Sequence, residues 1–147
     1  MDKKFYITTP IYYPSAKPHM GHAYSSIIAD FFARFKRMDG FDVQFLTGTD
    51  EHGLKIQRSA EKQNINPLEF CNQISQTFRN LSETLNLTNT DFIRTTEDRH
   101  KKSVQHLWNQ LEKNDDIYLS KYSGWYSVSD EAFYNEDEID DVNGVKR

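Results

Sequence analysis

The sequence contains a single cysteine, Cys71, among 147 residues. One thiol can form neither an intramolecular disulfide nor a zinc site built from several cysteines. No apolar run approaches the length of a membrane span, and the first residues contain neither a secretory apolar stretch nor a basic amphipathic presequence. These absences predict a soluble protein of a reducing compartment, with a cytoplasmic location and no membrane partner.

The chain also lacks an excess of positive charge. Lysine and arginine total 18 against 22 aspartate and glutamate residues, which gives a formal net charge of -4. A nucleic-acid surface over the whole chain would require the opposite sign, so contacts with RNA are expected mainly outside this sequence. Hydrophobic residues make up 37% of the chain and can support a packed core, while 147 residues suit one domain or one domain and the start of another.

Alternating strand and helix patterns predict an α/β fold. Short β-prone segments predict strands at residues 4–9, 41–47 and 92–94. Apolar residues at helical spacing predict helices at residues 23–38 and 67–85, the second with Asn66 as its cap and Pro67 at its first position. Further helices are predicted at residues 53–63 and after Thr95. This order is that of one half of a doubly wound, Rossmann-like parallel sheet, which we assign to residues 1–114.

The apolar stripes of the first and last predicted helices differ in width. The stripe of the first helix is wide and contains Tyr24, Ile27, Ile28, Phe31, Phe35 and Met38. The stripe of the last helix is expected to form its inner face and contains Val104, Leu107, Trp108 and Leu111.

Residues 115–147 have a different texture. Two short segments, 117–119 and 124–128, predict β-strands, and the acidic residues 131–141 follow them. We therefore expect residues 115–147 to begin a β-rich inserted module that is incomplete in this chain.

A pair of histidines brackets a glycine at the start of the first long helix, in the order His19, Met20, Gly21, His22. Backbone N–H groups at a helix start attract anions, glycine lets a phosphate approach closely, and neutral imidazoles can donate hydrogen bonds to phosphate oxygens. The motif therefore predicts a triphosphate site in which both rings stabilise charge on the α-phosphate. The alternative to phosphate binding is that the histidines cap the helix and pack in the loop. A metal site is a further alternative, but no third ligand of good spacing lies nearby in the sequence.

Two further loops are candidates for the same site. Asp50 lies in the loop 47–53, which follows the second predicted strand at the edge where open α/β sheets bind ligands. Its carboxylate could pair with a substrate ammonium, or it could cap the following helix, and composition leaves both open. The rigid loop 10–14, with Ile11 and Tyr13, could form the floor of an apolar pocket suited to a thioether, or it could pack in the core.

Together these segments resemble a known family. Residues 9–14 and 19–22 are similar to the signature region of class I aminoacyl-tRNA synthetases. The loop 47–53 narrows the resemblance to the methionyl-tRNA synthetase family, and residues 124–134 resemble the start of that family's connective insertion. The resemblance implies that methionine and ATP, with Mg²⁺, form methionyl-adenylate and pyrophosphate, and that the methionyl group then passes to tRNA(Met).

The resemblance also assigns roles to individual residues. His19 and His22 match catalytic positions and, with Gly21, the family's ATP-binding signature; Asp50 matches the acid that holds the methionine ammonium; Ile11 and Tyr13 match positions that line the methionine site. Met20 replaces the isoleucine of the signature, a mild apolar change. With one cysteine, the chain resembles the zinc-free subtype of the family.

The family's second signature, Lys-Met-Ser-Lys-Ser, does not occur in the sequence. We therefore expect the 147-residue chain to be inactive alone and to need the remaining part of a synthetase. Three alternatives stay open: another class I synthetase, a small nucleotidyltransferase with the same histidine element, and a non-catalytic binding module that completes a split enzyme.

Overall fold

The structure is a computed structural model that describes residues 3–142 and 145–146. The chain forms two compact units, Met1–Gln105 and His106–Arg147. Three strands form a parallel sheet in the first unit, in the spatial order β1-β2-β3: β1 (Lys4–Thr8), β2 (Asp42–Thr49) and β3 (Asp91–Arg94). Four helices follow or connect these strands: α1 (Met20–Met38), α2 (Leu54–Lys62), α3 (Pro67–Thr84) and α4 (Asp98–Lys113). Among the described residues, no helix combines the length and hydropathy needed to cross a bilayer.

The parallel sheet confirms the predicted α/β half-sheet. β2 lies in the middle, paired with β1 from Lys4 opposite Asp42 and with β3 up to Thr49 opposite Arg94. Because all three strands run in the same direction, their carboxyl ends meet at one edge, and the loops that leave that edge lie close together.

α1 packs on the sheet through small residues rather than through its large apolar side chains. Ala29 and Ala33 are buried against Val43 and Phe45 of β2. The large residues of the predicted stripe lie mostly on the outside, where Phe31, for example, is 64% exposed. Large apolar side chains exposed together on one side of a helix are typical of a surface that packs against another element.

Gly48 allows the close approach of β2 and β3. A Cβ atom at this position would collide with the carbonyl oxygen of Ile93, its partner in the parallel register. Only glycine therefore fits at this point of β2, immediately before the loop that carries Asp50.

The second unit contains the end of α4 and two antiparallel hairpins: β4 (Trp125–Ser127) with β5 (Ala132–Tyr134), and β6 (Asp141–Val142) with β7 (Val145–Lys146). The strand predicted at residues 117–119 is wrong, because this segment has no regular structure and Leu119 is fully exposed. A strand requires a hydrogen-bonded partner, and none lies beside this segment in the described part of the chain. The predicted boundary after residue 114 stays a prediction.

The prediction that α4 buries an inner face is also wrong. No residue of this helix is buried, and Leu107 and Trp108 are more than half exposed. Periodicity indicates that an apolar stripe exists, but the partner that would cover it is not among the described residues.

Candidate functional site

The side chains of His19 and His22 cap the start of α1. His19 is the N-cap residue in an extended conformation, and its Nδ1 accepts a hydrogen bond from the Gly21 N–H at 3.0 Å. The Nδ1 of His22 accepts one in return from the His19 N–H at 3.1 Å. This reciprocal arrangement is a capping box in which imidazoles replace the usual hydroxyl and carboxylate. It starts the helix at Met20, three residues before the predicted start at Ala23.

This capping geometry selects one tautomer for both rings. An Nδ1 that accepts a hydrogen bond carries no proton, so each neutral imidazole has its proton on Nε2. The ring centroids of His19 and His22 lie 3.8 Å apart. Both residues therefore present an N–H donor at the same corner, and capping and donation to a phosphate are compatible rather than competing roles.

The positive character of this corner comes from the start of α1 rather than from the His22 ring. Burial, and then the nearby His19, lower the pKa of His22 below its ordinary value. The ring is therefore neutral at physiological pH and keeps the tautomer that the capping box requires. The first turn of α1 contains no acidic residue that would oppose an anion at the positive end of the helix.

Gly21 has a steric role at this corner. A Cβ atom there would come within 2.9 Å of Cε1 of His19. A larger residue would push the capping imidazole aside, so the glycine preserves both the cap and access to the helix start.

The loop after β2 lies beside the loop that follows β1. The Tyr12 N–H donates to the Gly48 carbonyl at 2.9 Å, and the Asp50 N–H donates to the Tyr12 carbonyl at 2.8 Å. Tyr12 also forms a parallel bridge with Thr49. The structure thus brings the loop 10–14 and the half-buried Asp50 together at the carboxyl edge of the sheet.

The open question of whether Asp50 caps the next helix is settled by α2. The N-cap residue of this helix is Gly53, and no side chain makes a capping hydrogen bond there. Asp50 is therefore not a helix cap, which leaves the carboxylate available for a ligand.

The predicted methionine-site residues Ile11 and Tyr13 differ in their surroundings. Tyr13 packs against a buried cluster that includes Ile56 and Phe70, whereas Ile11 is 38% exposed. Tyr12, between them, is buried in a separate cluster with Phe78 and Phe92. Sequence reasoning missed Tyr12, and the only available signal was the alternation expected of extended backbone.

A buried ion pair supports the loop that carries Asp50. The Glu51 side chain is fully buried and accepts two hydrogen bonds from Arg94, at 2.6 and 2.9 Å. The hydroxyls of Thr49 and Thr96 donate to the same carboxylate. Sequence reasoning missed this network because Glu51 and Arg94 are 43 positions apart.

These contacts control the charge of Glu51. Burial alone would raise the pKa of its carboxyl, but the hydrogen bonds from Arg94, Thr96 and Thr49, with the positive charge of Arg94, outweigh burial and lower the pKa. Glu51 is therefore ionised at physiological pH, and its backbone N–H is also fixed by the Thr95 hydroxyl at 2.8 Å. The backbone next to Asp50 is held from both sides.

In the part of the chain that the structure describes, no group of three or more His, Cys, Asp or Glu side chains is placed to hold a metal ion. Cys71 is buried, and its thiol donates to the Glu51 carbonyl at 3.7 Å.

Cys71 is expected to resist alkylation in the folded protein. Burial, and then the charge of Glu51, raise the pKa of its thiol to about 11, and the thiolate is the reactive species. Iodoacetamide near neutral pH should leave this residue unmodified before unfolding and modify it in guanidinium, as measured by peptide mass spectrometry. Rapid modification of Cys71 in the native protein would contradict this expectation.

Comparison with known proteins matches residues 5–143 to the family described as tRNA synthetases class I (M). The chain belongs to this family. The methionine–tRNA ligase of Listeria monocytogenes is 54% identical over 138 residues, and that of Rickettsia bellii is 53% identical over 139 residues. A solved Mycobacterium tuberculosis methionyl-tRNA synthetase in complex with methionyl-adenylate superposes with a TM-score of 0.92 at 46% identity.

These matches cover nearly all of the chain but only part of each related synthetase. They include 94%, 95% and 98% of this chain, respectively. The chain spans 21%, 27% and 28% of the length of those three proteins.

Proposed function

We propose that the chain is the amino-terminal portion of a methionine–tRNA ligase. In this proposal, residues 1–114 are the first half of the catalytic domain and residues 115–147 begin its connective insertion. The complete enzyme activates methionine with ATP to methionyl-adenylate and transfers the methionyl group to tRNA(Met). The observation that carries the proposal is the reciprocal capping by His19 and His22 through Nδ1, which leaves both Nε2 atoms for donation at the same sheet edge as the Asp50 loop.

The histidine corner binds the triphosphate of ATP. His19 and His22 donate from Nε2 to phosphate oxygens, and the N–H groups and positive end of α1 add to the attraction. Gly21 leaves room for the phosphate to approach. Charge grows on the α-phosphate during nucleotidyl transfer, and donors fixed in advance stabilise that charge without a nucleophilic side chain. Mg²⁺ enters with ATP as part of the substrate.

Asp50 and the loop 10–14 bind methionine. The Asp50 carboxylate pairs with the α-ammonium, while Ile11 and Tyr13 border the side chain. A thioether makes favourable contacts with an aromatic ring, which suits the position of Tyr13. Fixing the ammonium directs the methionine carboxylate toward the α-phosphate, so that attack forms methionyl-adenylate and releases pyrophosphate.

The remaining part of the synthetase completes the site. The uncovered face of α1 suits the second half of the catalytic domain, which would also supply the cationic loop on the far side of the triphosphate. The tRNA contacts lie mainly in that remainder, because this segment has a net charge of -4. We further propose a cytoplasmic enzyme of the zinc-free type.

Pyrophosphate–ATP exchange tests this function. The complete synthetase that contains this segment should show exchange with methionine and much less with leucine, isoleucine, valine or cysteine. The chain of residues 1–147 alone should show none, because charge stabilisation from the far side of the phosphate is missing. Preference for another amino acid would indicate a different class I synthetase. Exchange with none, together with binding to a second polypeptide, would indicate a non-catalytic module.

A further inference from the structure

Tyr12 lies between the two parts of the proposed site and contacts both. We propose that Tyr12 is a positioning residue that holds His22 in register with the loop of Asp50. This inference rests on the proposed function and extends it, because Tyr12 itself is assigned no contact with ATP or methionine.

The hydroxyl of Tyr12 binds the first turns of α1. Its Oη lies 2.6 Å from the Ser26 Oγ and 3.2 Å from the Ser25 Oγ, and it donates to the His22 carbonyl at 3.3 Å. Ser26 is buried, so its bond to Tyr12 forms out of contact with water. A buried hydroxyl at this distance fixes the position of the helix start relative to the loop.

The ring of Tyr12 orients the imidazole of His22. The two rings meet edge to face with centroids 4.9 Å apart. Phe78 stacks on the other side of Tyr12 at 5.4 Å and also meets the His22 ring edge-on at 5.1 Å. The His22 imidazole is therefore packed against two aromatic rings, and its Nε2 direction depends on them.

The backbone of Tyr12 binds the other loop. Its N–H and carbonyl are bonded to Gly48 and Asp50, respectively, as described above. A single residue thus connects the phosphate donors, through its side chain, to the ammonium-binding loop, through its main chain. Both reactants must be aligned closely for transfer, and a misplacement of about 1 Å can cost roughly a hundredfold in rate.

Tyr12→Phe separates these connections. It keeps the ring and the backbone bonds but removes the hydroxyl contacts with α1. In the complete synthetase we expect kcat for exchange to fall roughly tenfold, whereas the KM for methionine changes little because the Asp50 link is intact. Ser26→Ala removes the strongest of the same contacts and should shift kcat in the same direction. Tyr118→Phe, at a side chain that is 87% exposed, is the matched control.

A double-mutant cycle with His22→Ala shows whether Tyr12 acts through His22. If it does, Tyr12→Phe will cause little further loss of kcat once His22 is absent. Equal losses of kcat in both backgrounds, or an unchanged kcat in Tyr12→Phe, would overturn the proposal. The melting temperature of each variant shows whether a loss of kcat is caused by unfolding. If Tyr12→Phe unfolds the protein, Ser26→Ala replaces it in the double-mutant cycle.

The cycle also distinguishes the two proposals. If another amino acid instead of methionine supports pyrophosphate–ATP exchange by the wild-type synthetase, the proposed substrate is refuted. The double-mutant cycle can still be measured with that amino acid. The nitrogen NMR signals of His22 give a second readout: Tyr12→Phe should change them and Tyr118→Phe should not. Unchanged His22 signals in Tyr12→Phe would contradict the positioning role even if exchange were absent.

Discussion

Replacing His22 with alanine in the complete synthetase should lower kcat for adenylate formation far more than it raises the KM for methionine. The expected loss is on the order of 2–4 kcal/mol of transition-state stabilisation, as for the removal of one fixed donor from an oxyanion site. The physical reason is the neutral imidazole, whose Nδ1 is occupied by the His19 N–H and whose Nε2–H is therefore free to point at a phosphate. Steady-state exchange kinetics measure both constants.

The matched control for this variant is His106→Ala, at an exposed histidine of α4. It should leave both constants unchanged. Proportional changes in kcat and in the methionine KM of His22→Ala would indicate that the ring only caps α1. A melting temperature close to that of the wild type is required before the kinetic loss is assigned to the missing donor.

Glu51→Ala should be the most destabilising of the substitutions considered. It leaves the Arg94 guanidinium, which is 19% exposed, without the carboxylate that accepts two of its hydrogen bonds. Breaking a buried ion pair from one side costs about 3–5 kcal/mol in the free energy of unfolding. The methionine KM should also rise, because the backbone next to Asp50 loses its support. Denaturant unfolding of the complete synthetase measures the first effect and exchange kinetics the second.

Two controls sharpen this test. Glu112→Ala removes an exposed carboxylate of α4 and should change unfolding little. The double variant Glu51→Met with Arg94→Met removes both charges and should recover much of the lost stability, since apolar residues often replace a buried pair without cost. A Glu51→Ala protein as stable as the wild type would show that the ion pair contributes nothing.

The ion pair also makes stability depend on pH. The pKa of Glu51 is lower in the folded protein than in the unfolded chain, where it is near 4.5. Ionised Glu51 therefore contributes its full stabilisation at pH values above its pKa in the unfolded chain. This stabilisation is lost as the pH falls through the lower pKa of Glu51 in the folded protein. In Glu51→Gln this part of the acid sensitivity should disappear.

The elements that the sequence predicted well are those with local signals. Asn66 and Pro67 were sufficient to place the start of α3, and the Asn66 side chain does accept from the Leu68 N–H at 2.9 Å. The first residue of α1 was predicted three positions late, at Ala23, because the apolar periodicity begins there and histidine is not a preferred cap residue. Local pattern alone cannot show that two imidazoles cap each other's backbone.

Long-range contacts were beyond the sequence for a different reason. Nothing in the loop 47–53 indicates that Glu51 pairs with Arg94, because the register of β2 against β3 decides it. The choice between Tyr12 and Tyr13 likewise depends on which side of an extended loop faces α1 and which faces the cluster with Phe70. The candidate site residues were found by motif, and their supporting residues required the fold.

The bare apolar side of α1 has a consequence for biosynthesis. Ribosomes synthesise a chain from its amino terminus at about 5–20 residues per second, so the carboxyl-terminal parts of a protein are made later than the amino-terminal parts. If the remainder of the synthetase covers Phe31, Phe35 and their neighbours, these side chains stay in water throughout that interval. The nascent segment is then most vulnerable to self-association before its own partner has been translated, and shielding by a chaperone would matter most at that stage.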